Sequence, residues 1–184
     1  MEKIVKLSSL FLIILIASFC SNVKKEKKEG SRFDKFYTKK IGFKSFNLDS
    51  LNVDLNSLTK VDSSDSIYKK AGSKSAEFFY YSVLDTSRIF ESVVYLYSNE
   101  GKEQCLEMVN YKNDGTIIST LPLFCSGGDA EEYFTLESDF ISKNEIKQSR
   151  AEGYFNDEDS LIVTDRSFFK VRIKDNGTIK KDSN

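Results

Sequence analysis

The sequence predicts an all-β protein, an antiparallel meander closing into a sandwich or barrel with little helix. Three observations carry this expectation. Turn signals recur roughly every 8 to 12 residues over much of the chain, the spacing of short strands joined by tight connections. The segments between them are rich in aromatic and β-branched residues, with 15 Phe and 9 Tyr in 184 residues. No stretch sustains the 3.6-residue apolar period of an amphipathic helix.

Taken in order, Phe33–Thr38 and Ile41–Phe46 are short aromatic-rich runs split by Lys39-Lys40. Asn47–Ser66 intersperses Leu48, Leu51, Val53, Leu55 and Leu58 with Asp, Asn and Ser, and suits either a short helix or a loop carrying one strand. Within it, Asp62-Ser63-Ser64-Asp65-Ser66 is a turn cluster. Glu77–Leu84 is apolar on both faces and reads as a central strand, followed across Asp85-Thr86-Ser87 by Arg88–Tyr97. After Asn99-Glu100-Gly101, Glu103–Lys112 and Thr116–Cys125 flank Asn113-Asp114-Gly115, a strong hairpin signal. Ser126-Gly127-Gly128-Asp129 breaks the chain before Glu132–Ile141, which alternates, and Ser142-Lys143-Asn144 leads into Glu145–Arg150. Asn156-Asp157-Glu158-Asp159 precedes Ser160–Thr164, and Ser167–Lys174 pairs with Thr178–Lys181 across Asp175-Asn176-Gly177. The two Gly-ended turns, 62 residues apart and each followed by Thr-Ile, are too few to mark a repeat architecture.

The N-terminus is of another kind. Lys3 and Lys6 precede an apolar stretch from Leu7 to Phe19, too short for the roughly 20 residues of a membrane-spanning helix but fitting a signal-peptide core. No other window is apolar and long enough to span. The sequence Ala17-Ser18-Phe19-Cys20-Ser21 resembles the lipobox of bacterial lipoproteins, in which the cysteine is lipidated and becomes the mature N-terminus. Phe19 and Ala17 depart from that pattern, which has a small residue before the cysteine and an aliphatic one three places before it. Ordinary signal-peptidase cleavage after Cys20 and an uncleaved anchor are the competing readings. Residues 21–32, with four lysines and no aromatic residue, read as a tether. The expected organisation is a signal peptide over 1–19, a lipid-anchored tether over 20–32 and one β-rich domain over 33–184.

Composition narrows the chemistry. Removing residues 1–19 takes away two lysines and one glutamate, leaving a net charge of −2 and no basis for nucleic-acid binding. The chain has no histidine, which removes Ser-His-Asp and Cys-His nucleophile chemistry, histidine acid–base catalysis and nearly all catalytic zinc sites. With Cys20 assigned to the anchor, Cys105 and Cys125 remain as a pair for one disulfide in an oxidising compartment. A two-residue Asp114-Gly115 loop would set Cys105 opposite Phe124, so a register step or a bulge at the glycine is needed to align the cysteines.

Three segments are candidate sites. Ser126, Gly127, Gly128 and Asp129 could protrude as a binding loop, although turn chemistry alone explains the glycines. Asn156–Asp159 offers oxygen ligands but lacks the spacing and glycine of a calcium loop, so no metal is expected. Phe78–Tyr81 with Tyr95 and Tyr97 could stack sugars or peptides, with core packing the more common use of such aromatics.

The stretches Asn113–Ile117, Ser126–Asp129 and Phe169–Ile179, with the lipobox-like signal, resemble small envelope lipoproteins of AT-rich bacteria. The resemblance implies class and compartment only. The expectation is a lipid-anchored envelope protein, facing periplasm or cell surface, that binds a protein or glycan partner without catalysis or cofactor. Two other classes are an inhibitor of a wall-degrading hydrolase, with Ser126–Asp129 as its plug, and a carboxylate-dependent glycan-acting enzyme. A scaffold subunit of an envelope complex is a further option.

Overall fold

The computed structural model describes residues 43–71, 76–85, 89–99, 103–128, 132–156 and 160–182, all within the unit Ser31–Asn184. These residues form one ten-stranded antiparallel sheet with almost no helix. The strands are β1 (Ser45–Phe46), β2 (Thr59–Lys60), β3 (Ala76–Asp85), β4 (Phe90–Asn99), β5 (Glu103–Lys112), β6 (Ile117–Gly128), β7 (Tyr133–Ser142), β8 (Glu145–Phe155), β9 (Leu161–Ile173) and β10 (Ile179–Asp182). From β2 to β10 their order in the sheet is their order in the chain. The run Phe33–Thr38 lies outside the described residues.

The middle of the meander is where the sheet folds on itself. β6 pairs with β5 along its length but with β7 only from Tyr133 to Leu136. Beyond that point β1 takes its place, with Phe46 opposite Ser138 and Ser45 opposite Asp139. Side chains from both halves then meet in one core: Val94, Leu96, Leu106, Met108 and Leu123 pack in the same cluster as Phe46, Ile146, Val171 and Ile173. Strand alternation sends the other side chains of β3–β5 into a second, aromatic cluster of Phe78, Tyr80, Val93, Tyr95, Val109 and Tyr111, joined by Val61 and Ile67. Ile67 belongs to a short helix, α1 (Ser66–Ala71), which starts at the last residue of the Asp62–Ser66 turn cluster. Its start is set by Asp65, whose carboxylate accepts from the Ile67 N–H at 3.1 Å and the Ser66 hydroxyl at 3.2 Å.

A buried polar cluster joins the two halves. Asn110, fully buried on β5, accepts from the Ser92 hydroxyl at 2.8 Å and donates to the Gly177 carbonyl at 2.8 Å. The Ser119 hydroxyl donates to the same carbonyl at 2.6 Å. Gly177 sits in the β9–β10 turn at φ +83°, and a Cβ there would lie 2.8 Å from the Ile118 Cδ1 and 3.0 Å from the Phe90 ring. The turn is thus pressed against β4 and β6, and its positive φ favours glycine.

Several expected boundaries shift. Leu48–Leu51 and Leu55–Ser57 are 3₁₀ turns, the second capped by the Asp54 carboxylate accepting from the Asn56 N–H. The Asn113-Asp114-Gly115 connection is a three-residue loop rather than a two-residue one: the Lys112 N–H donates to the Thr116 carbonyl, with Gly115 at φ +87°. The Asp175-Asn176-Gly177 turn repeats this geometry between Lys174 and Thr178. Strand β8 runs on from Arg150 to Phe155, and the runs Ser160–Thr164 and Ser167–Lys174 fuse into the 13 residues of β9.

Candidate functional site

Cys105 and Cys125 lie directly opposite each other, Cα atoms 4.1 Å apart, and their sulfurs are bonded. Two irregularities in the β5–β6 ladder bring them into line, one between Asn110 and Tyr111 and one between Leu106 and Glu107. Neither is at the glycine. The bridge is structural, packed with Leu136, Tyr97 and Phe134. Cys20 lies outside the described residues.

Of the expected binding loop, Ser126–Gly128 belong to strand β6. Ser126 and Gly127 are strand residues held on both sides, by Gln104 and Thr135 and by Glu103 and Phe134, and Gly128 pairs with Tyr133. A Cβ on Gly128 would lie 2.7 Å from the Tyr133 Cα, so the glycine serves a close backbone approach. Asp129 lies outside the described residues. The aromatics Phe78, Tyr80 and Tyr95 are core, and the Tyr95 and Tyr111 hydroxyls share a hydrogen bond of 2.8 Å. Phe79 and Tyr81 pack from the opposite side of β3 against the first cluster. No exposed stacking platform results there. In the acidic segment, Asn156 accepts from the Ser160 N–H at 2.9 Å and closes the β8–β9 turn; Asp157–Asp159 are outside the described residues. Among the described residues no group of three Asp, Glu, Cys or His could hold a metal ion.

The feature that stands out is one the sequence reading passed over: the far end of the β8–β9 hairpin. β7 pairs with β8 only as far as Gly153, while β8 and β9 continue together to Phe155 and Leu161. On the other side, β10 covers only Lys170–Ile173 of β9, so Leu161–Phe169 form an edge without a neighbouring strand among the described residues. The hairpin therefore extends as an arm. It carries Tyr154, Phe155, Leu161, Ile162 and Val163, each at least 39% exposed, with Phe168 at 47% further back.

Register sorts these side chains by face. Val163 lies opposite Gly153 and Leu161 opposite Phe155, which places them with Tyr133 and Phe168 on the outer face; Tyr133 and Phe155 stack at 5.1 Å. Tyr154 and Ile162 lie opposite each other on the other face, continuous with buried Ile146 and Gln148. Cations cover the rings around the arm's base. Lys147 lies 5.5 Å from the Phe168 centroid, Arg150 5.0 Å from that of Phe134 and Lys181 3.4 Å from that of Phe169. Burial first, and the Arg150 charge second, hold the Lys181 ammonium below the usual lysine range.

Fold and arm together define an all-β, single-sheet protein in which the end of one strand hairpin groups five exposed apolar side chains. Comparison with protein-family models, curated proteins and solved structures finds no match for this chain.

Proposed function

We propose that the protein is a non-catalytic binding module of the bacterial cell envelope, anchored through a lipid on Cys20 and engaging a periplasmic or surface partner with the outer face of the β8–β9 arm. The observation that carries the reading is the gathering of Tyr133, Phe155, Leu161, Val163 and Phe168 on one exposed face. Exposed apolar side chains grouped in this way, with Arg166 between Val163 and Phe168 and Lys147 and Lys170 beyond, mark a surface for recognition. The signal-like segment ending at Cys20 and the polar residues 21–32 support the anchored placement. The acidic sequence Asn156-Asp157-Glu158-Asp159, which links the two strands of the arm, suits contact with a protein or glycan better than burial in a bilayer.

Two measurements test the two parts. Labelled palmitate should enter the full chain and be lost in Cys20→Ser; release of the unsubstituted protein from membranes by salt alone would exclude the lipid anchor. A photoreactive amino acid at Phe155 should form a discrete adduct in intact cells, whereas one at Lys143, on the opposite turn, should not. Equal labelling from both positions would remove the arm as the contact face.

A further inference from the structure

The outer face accounts for one side of the arm, but not for Tyr154 and Ile162 on its other side, nor for the edge of β9 that has no neighbouring strand among the described residues. An edge strand presents alternating N–H and C=O groups to solvent, a ready template for another extended backbone. We infer that the tip of β9 pairs in antiparallel fashion with the same strand of a second copy, on a two-fold axis at Ile162.

Geometry and charge select that register. Two copies of one strand pair antiparallel only about a two-fold axis normal to the sheet, so one residue must face its own copy. Centring on Asp165, the middle of the free edge, opposes two carboxylates, and centring on Arg166 opposes two guanidinium groups. A centre at Thr164 sets Ile162 against Arg166 and Val163 against Asp165, and a centre at Val163 sets Leu161 against Asp165. Centred on Ile162, every close pair is apolar: Ile162 on Ile162, Leu161 on Val163 and Val163 on Leu161. The adjoining pairs are Ser160 with Thr164, which are small and polar.

The edge also ends where this register needs it to. The ladder is irregular between Glu152 and Gly153, where Thr164 turns its hydroxyl to the Glu152 carbonyl at 3.2 Å. At the next residue the Asp165 carboxylate already accepts the Arg166 N–H at 2.8 Å. Edge strands are commonly blunted by such bulges and charges, and here the blunting leaves Leu161–Val163 open. Alternation completes the seam. On one face Tyr154 and Ile162 meet their copies in a row of four apolar side chains; on the other, Phe155 and Leu161 meet Val163 of the second copy. Because the pairing lies in the plane of the sheet, the outer faces of both arms stay open and join into one wider surface. The inference stands whether or not that surface is the contact face.

Cysteine cross-linking in membranes of cells expressing the full chain tests the register. Cys105 and Cys125 are already bonded, and the unsubstituted chain reports any linkage through Cys20. On mild oxidation, Ile162→Cys should give a disulfide-linked dimer. Leu161→Cys and Val163→Cys should each stay monomeric alone but cross-link when expressed together. Phe168→Cys, equally exposed but outside the seam, should stay monomeric. As a second measurement, sedimentation of the purified full chain should show a concentration-dependent dimer that Ile162→Lys abolishes and Phe168→Lys retains. A chain that sediments as monomer at every concentration overturns the inference, as does a folded Ile162→Cys protein that stays monomeric. Equal linkage at Phe168→Cys, or linkage of Ile162→Cys to a different polypeptide, also overturns it; the last outcome would assign the edge to a foreign strand.

Discussion

At the scale of single residues, the Tyr81 hydroxyl ties the N-terminal 3₁₀ segment to the sheet by donating to the Ser50 carbonyl at 2.9 Å. Burial pushes this phenol above its ordinary value of 10.0, so the folded state favours the neutral form. That contribution is present in full below the ordinary value, and it is lost as pH rises through the raised one. Denaturant midpoints measured at pH 8 and pH 11 should therefore fall with alkalinity, and Tyr81→Phe should reduce the fall; an unchanged difference would show that Tyr81 does not link stability to pH. The same residue shows what sequence could and could not disclose. Phe78–Tyr81 announced a strand apolar on both faces, but the division of its rings between two separate clusters depends on which layers cover β3.

At the scale of elements, the β5–β6 hairpin was legible and its register was not. Asn113-Asp114-Gly115 between two β-rich runs specifies a connection because glycine alone enters the positive-φ position freely. The two ladder irregularities that align the cysteines have no comparable local signature, since a bulge is decided by side chains on neighbouring strands. The resulting bridge spans 20 residues, which in the chain-entropy picture contributes about 3 kcal/mol. Replacing both cysteines, Cys105→Ala with Cys125→Ala, should lower unfolding stability by about that amount and Tm by about 10 °C. A shift below about 1 kcal/mol would mean that Leu136, Tyr97 and Phe134 hold this end of the sheet without it. The arm was illegible for a related reason. Tyr154, Phe155 and Leu161–Val163 read as ordinary strand residues, and their exposure follows from β7 stopping at Tyr133 and β10 covering only the far end of β9.

At the scale of the whole molecule, closure of the meander rests on the contact between the Gly177 turn and the first half of the sheet. Gly115 and Gly177 occupy twin turns with nearly equal φ, +87° and +83°, but only Gly177 is buried, against Phe90 and Ile118. Alanine at Gly115 should cost the backbone strain alone, about 1–2 kcal/mol. At Gly177 the same change adds overpacking of about 1–3 kcal/mol. Urea midpoints of the two variants should differ in that sense; equal losses would show that the turn does not clamp the halves together. Asn110 sits at the centre of this clamp, joined to Ser92, Ser119 and the Gly177 carbonyl, and nothing in its sequence neighbourhood marks it among the other asparagines.

The amino-acid sequence by itself determined that the chain is all-β, where its main hairpins turn, and that histidine-based chemistry is absent, because turn propensity, strand alternation and composition are local properties. Only the tertiary structure decided that Ser126–Gly128 are held within the sheet and that, among the described residues, the β8–β9 arm leaves an apolar strand edge without a neighbour. Whether a strand is covered or free depends on where its neighbours begin and stop, and no residue carries that information in its own identity.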